Sequence, residues 1–160
     1  MKVHFWEKAH STAASTCCDR LGMSTTRIVI IDEYDQVRQA LERRFRRLPN
    51  VAVVGSTGNY LTGVDLVRQQ RPQVVLLELK GRRHQLFNPV RQLLNQARSP
   101  MGIIVLTSYS DEDERASALT AGASRYLLKD INTNQLVREI EAVANEIEAA
   151  NHRLARIPGD

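Results

Sequence analysis

The feature that most constrains this chain is a fivefold alternation of short apolar runs with amphipathic segments, beginning at Arg27. The runs are IVII (Ile28–Ile31), VAVVG (Val51–Gly55), VVLLEL (Val74–Leu79), GIIVLTS (Gly102–Ser108) and RYLLK (Arg125–Lys129). They are short and rich in β-branched residues, the pattern of strands buried on both faces. Between them, Val37, Leu41, Phe45 and Leu48 share one face of a helix that Asp35 can cap. Leu61, Val64 and Val67 pattern a second helix, stopped before Pro72. A third is expected over Leu86–Ala97, with Pro89 in its first turn. Asp111 to Ala121 carries acids where a helix dipole favours them, and Gly122 fits as its terminator. A long last helix starts at Asn132. Apolar strands joined by helical crossovers require a parallel sheet covered on both faces, so the expected fold is α/β, doubly wound, (βα)5.

Sites in open parallel sheets lie beyond the carboxyl ends of the strands. Those ends offer Asp32 and Glu33 after the first strand, Glu78 in the third, Thr107 and Ser108 after the fourth, and Lys129 after the fifth. Acids that could hold a hard cation such as Mg²⁺, opposite a lysine and a hydroxyl, suit a phosphoryl group. A glycine-rich phosphate loop is absent, because GSTGN (Gly55–Asn59) lacks the lysine. An enzyme is therefore not expected.

DEYDQVR (Asp32–Arg38), RPQVVLLEL (Arg71–Leu79), IIVLTSY (Ile103–Tyr109) and AGASRYLLKD (Ala121–Asp130) together resemble the receiver domain of two-component response regulators. The likeness covers about Thr26 to Ala144 and is strongest to receivers of the NarL/LuxR type. It implies a flavodoxin-like sheet in strand order 2-1-3-4-5. It also implies an acidic pocket of Asp32, Glu33 and Glu78, with Thr107, Tyr126 and Lys129 as switch residues. In that family an aspartate in the third strand accepts phosphate from a histidine kinase; here Glu78 stands there. The added methylene displaces the carboxylate, and in-line transfer tolerates little misplacement, about 1 Å costing ~100-fold. Glu78 is thus expected to take no phosphate and is a candidate permanent mimic. The Met-Pro pair usual beyond the acceptor is replaced by KGRRHQ (Lys80–Gln85), which puts Arg82 and Arg83 over the pocket; His84 is read as a solvated loop residue. Weak Mg²⁺ binding is the only cofactor expected.

A formal charge of +4 conceals a polarised chain. Residues 36–100 carry 12 basic and 3 acidic side chains, and residues 101–160 carry 6 and 10. RRFRR (Arg43–Arg47) places Phe45 on the core stripe, so base stacking is not expected there; a solvated face or partner docking fits better. Composition, 42% apolar and 25% charged, excludes whole-chain disorder, a collagen repeat or a disulfide scaffold. No run approaches the ~18 apolar residues of a membrane span.

Residues 1–24 are expected to be a disordered extension, with Met1 or Met23 as the working start. They lack a signal-peptide core, and the adjacent Cys17 and Cys18 fit a reduced, cytoplasmic setting. Residues 25–146 form the receiver, and 147–160 an extended last helix or linker stub. Leu136, Ile140, Val143, Ile147, Ala150 and Leu154 step by four and three, and the last three have no evident core to cover. The expected function is an atypical receiver in two-component signalling. It would act by protein contact, through self-association at the helix 4–strand 5–helix 5 face or the last helix, or with a histidine kinase. The alternative is the receiver part of a transcription regulator, reaching DNA only through a helix-turn-helix output domain absent from this chain.

Overall fold

A computed structural model describes residues 24–79 and 88–155. Five strands, β1 (Thr26–Ile31), β2 (Val51–Thr57), β3 (Val74–Leu77), β4 (Gly102–Thr107) and β5 (Arg125–Leu128), alternate with five helices. The helices are α1 (Asp35–Phe45), α2 (Tyr60–Gln70), α3 (Pro89–Gln96), α4 (Glu112–Thr120) and α5 (Thr133–Leu154). The strands are all parallel, in the order β2-β1-β3-β4-β5. This is the doubly wound, flavodoxin-like arrangement that the apolar runs and the family likeness imply.

Strand side chains alternate between faces, and the core divides accordingly. Ile28 and Ile30 join Leu41, Phe45, Leu136 and Ile140 on the side of α1 and α5. Val29 and Ile31 join Val64, Val67, Val90 and Leu93 on the side of α2, α3 and α4. Between β1 and β2 the register slips after Ile28, which pairs with Val53 while Val29 pairs with Gly55. β2 runs on to Thr57, so the segment GST belongs to the strand.

Several local expectations need correction. Tyr34, not Asp35, is the α1 cap residue, and its side chain makes no cap hydrogen bond. The Tyr34 N–H donates to Asp32 Oδ1 at 2.9 Å, a local turn that starts the helix one residue early. Asp35 then lies in the first turn and accepts from Arg38 and Gln39. Leu61 is 69% exposed, and Gly63 takes the inward position beside Val64 and Val67. The start expected for the third helix at Leu86 lies outside the described residues; within them α3 opens at Pro89 behind an Asn88 cap. Gly122 follows α4 with φ +111, a left-handed conformation suited to glycine.

Ile147 packs against the core of the α1 and α5 side, so α5 covers the sheet one step beyond the point where the repeat suggested it would stop. Leu154, by contrast, is 70% exposed. The close approach of α5 to β4 depends on Gly102, where a Cβ would collide with Val143 Cγ1 and meet Ser124 Oγ at 3.1 Å. Gly102→Ala is therefore expected to overpack this contact and cost about 1–3 kcal/mol in urea unfolding. An unchanged midpoint and slope would contradict the packing described.

Candidate functional site

Three charged residues stand just beyond the ends of three strands, and the sheet itself fixes them. The Asp32 N–H donates to Thr57 at the end of β2, and the Glu78 N–H to Ile31 at the end of β1. The Lys129 N–H donates to Thr107 at the end of β4. Each backbone is thus held by a continuation of the neighbouring ladder, and the three side chains converge. Lys129 Nζ lies 2.6 Å from Asp32 Oδ2 and 2.7 Å from Glu78 Oε1. The group is well shielded: the Asp32, Glu78 and Lys129 side chains are 4%, 8% and 12% exposed.

One ammonium therefore serves two carboxylates. Burial pushes the Glu78 carboxyl above its usual range; Lys129 opposes the rise, and the neighbouring Asp32 adds to it. Glu78 Oε2 is buried and has no hydrogen-bond partner among the described residues.

The rest of the expected pocket is arranged differently. Thr107 is buried, but its hydroxyl donates to the Tyr109 carbonyl at 3.0 Å, within its own loop. Tyr126 packs against the core of the α2 to α4 side, and its hydroxyl donates to Glu114 of α4 at 2.8 Å. Burial first, and Glu114 second, push the Tyr126 hydroxyl up to about 12. Glu33 is half-buried, and its carbonyl accepts from Arg38. Arg82 and Arg83, expected over the pocket, lie outside the described residues, as does His84.

Two residues of the site went unnoticed in the sequence. Arg38 Nη1 donates to the Asp32 carbonyl at 2.6 Å and the Glu33 carbonyl at 3.2 Å, while Nη2 meets Asp35 at 2.6 Å. It clamps the backbone of the acidic loop, and a Cβ at Gly58 would meet its Nη1 at 2.7 Å. The spacing of Asp35 and Arg38 hinted at a helical ion pair, but the grip on two carbonyls left no trace in the pattern. The Tyr34 ring lies 5.3 Å from Lys129 Nζ, a cation–π distance.

Receiver domains as a class bind Mg²⁺ beside their phosphorylation site, a role that needs several oxygens free to face one ion. Among the described residues no three His, Cys, Asp or Glu side chains are grouped to hold a metal. Asp32 and Glu78 each give an oxygen to Lys129, and Glu78 Oε2 is left over. In this arrangement the residues do not fit Mg²⁺, because the ammonium already occupies the position between the acids.

The raised Glu78 carboxyl sets a pH dependence. An acid whose folded pKa is raised binds more protons folded than unfolded, so its contribution is fully present below about pH 4 and lost as pH climbs through the folded value. Glu78→Gln removes this loss. The unfolding free energy of the variant minus that of the native chain is expected to grow as pH rises from about 4 to 8. A difference that stays flat or shrinks would mean that Glu78 is not held toward its neutral form.

Residues 28–141 match the response regulator receiver domain family. The transcriptional regulatory protein YhcZ of Bacillus subtilis, itself uncharacterized, is 33% identical over 112 residues, covering 70% of this chain and 52% of that protein. The nitrate/nitrite response regulator protein NarL of Escherichia coli is 30% identical over 122 residues, 75% of this chain and 56% of that one. A LuxR-family two-component response regulator from Aurantimonas sp. SI85-9A1 superposes with a TM-score of 0.67 at 27% identity, covering 77% of this chain and 87% of that one. The chain spans about half the length of the curated relatives it matches. It belongs to the response-regulator receiver family, and its relatives are regulators of the NarL/LuxR type.

Proposed function

We propose that this chain is an atypical receiver that is not phosphorylated at the usual acceptor position and acts by protein contact in two-component signalling. The observation that supports this reading is Glu78. It carries one methylene more than the aspartate of the family, its Oε1 is held by Lys129, and burial favours its neutral form. A longer carboxyl that is already engaged by a lysine is a poor nucleophile for in-line phosphoryl transfer. Lys129 stands in for the metal, so any Mg²⁺ binding is weak and competes with the ammonium.

A permanent phosphate mimic is a less apt description. Glu78 does not draw the Thr107 hydroxyl toward itself, since that group serves Tyr109. One carboxyl shared with a lysine also falls short of the charge of about −1.5 to −2 on a phosphoryl group. The pocket reads as closed on its own lysine. Output would then pass through surfaces: self-association at the α4–β5–α5 face or the end of α5, or contact with a histidine kinase, in the cytoplasm. Among the described residues no helix is long and apolar enough to cross a membrane.

The names of the relatives favour a second reading, in which this is the receiver part of a DNA-binding transcription regulator. Several are transcriptional regulatory proteins about half of whose length this chain spans. A reading frame that continues past Asp160 into a helix-turn-helix would establish it. Phosphorylation is tested separately, by incubating the native chain and Glu78→Asp with a small phosphodonor and Mg²⁺ and weighing the intact products. The native chain is expected to stay unmodified and the variant to gain a phosphoryl group. A phosphate adduct on native Glu78 would sink the proposal, and an unreactive variant would place the divergence beyond the acceptor residue.

A further inference from the structure

Among the described residues β2 is an edge strand: it pairs with β1 alone, and its seven residues, VAVVGST, contain neither charge nor proline. Exposed edge strands normally carry lysine, proline or some other guard against pairing. Along this edge runs a groove of about 470 Å³, lined by Phe45, Arg46 and Leu48 and by strand residues 51–56. Successive strand side chains point to opposite faces, so a groove touching six in a row follows the edge itself. Ser56, one of its lining residues, has its Oγ buried without a hydrogen-bond partner among the described residues.

Arg46 lines the groove, and Arg43, Arg44 and Arg47 stand in the same stretch around the end of α1; all four are exposed. None of them is paired with a carboxylate among the described residues. Among the described residues Glu42 is the one acid lining the groove. We propose that the β2 edge docks an extended, acidic polypeptide segment of a partner, which adds as a sixth strand with its carboxylates toward the α1 arginines.

The chemistry selects this occupant over others. Unpaired ladder groups are satisfied by another peptide backbone, which a nucleic acid does not offer. A second copy of this chain would present its own β2, which has no carboxylate for the arginines, together with the same basic helix end. An acidic extended segment meets both demands at once, with the main chain giving affinity and charge giving selectivity.

The test uses the full chain and a fluorescein-labelled peptide as long as β2, alternating glutamate and valine, read by anisotropy. Comparison probes are a lysine–valine peptide, the glutamate–valine peptide N-methylated at alternate amides, and an oligothymidylate of equal charge. Binding is expected for the unmethylated acidic peptide alone, weakening with salt. The double variant Arg43→Glu, Arg46→Glu, shown by circular dichroism to be folded, is expected to lose about tenfold in affinity. Four results would overturn the proposal: no binding of the acidic peptide, equal binding of the N-methylated one, tighter binding of the oligonucleotide, or full affinity in the double variant. Sedimentation without peptide adds a fifth, a dimer that Arg43→Glu, Arg46→Glu leaves intact and that excludes the peptide.

Discussion

A single ammonium, Lys129 Nζ, holds the ends of three strands together through side chains. Asp32 follows β1, Glu78 follows β3 and Lys129 follows β5, and the lysine sits within 2.7 Å of both acids. The two carboxylates have little water to screen them, so either would repel the other strongly without the lysine between them. Losing one partner from such a buried group costs about 3–5 kcal/mol, because a charge is left uncompensated. Two acids face one base here, and burial together with the neighbouring Asp32 pushes the Glu78 carboxyl up while Lys129 opposes the rise. Burial, pairing and protonation at this point are one problem with one solution.

The same problem explains how the switch residues behave. With Lys129 shared, there is no surplus positive charge to draw a hydroxyl inward, and Thr107 closes its own loop through Tyr109. Tyr126 is turned inward and anchored to α4 by Glu114. That anchor involves none of the three charged pocket residues, although the Thr107 side chain also reaches the Tyr126 hydroxyl and eases its rise.

Most of the fold was legible in the sequence because burial on both faces leaves an unmistakable trace. IVII, VVLLEL and GIIVLTS allow little except central parallel strands, and they are the three innermost. The strand-end residues were legible for the same reason, since the end of a strand fixes the place of the residue after it. Local competition escaped. Asp35 had the chemistry of a cap, but Asp32 captured the Tyr34 N–H first. Leu61 had the spacing of a core residue, but Gly63 lies where Ile31 presses in, with a would-be Cβ 2.5 Å from Ile31 Cδ1. Ile147 looked unemployed because the sequence does not reveal how far β4 and its glycine let α5 descend. Arg38 was invisible as a clamp because its partners are carbonyls, and carbonyls have no letter.

The charge of the chain takes on a different meaning once its parts are placed. The basic middle is not one surface. Arg38 is spent on backbone carbonyls of the acidic loop, whereas the arginines at the end of α1 are exposed and unpaired among the described residues. The acidic last third likewise divides, with Glu139 and Glu146 neutralising Arg125 across α5 and β5. In the pocket Lys129 engages both acids and leaves Glu78 Oε2 over; at the β2 edge Arg46 adjoins a strand that, among the described residues, pairs on one side alone. The charges of the pocket are met from within, whereas the edge offers backbone groups that a further strand would pair, which is where a partner would act.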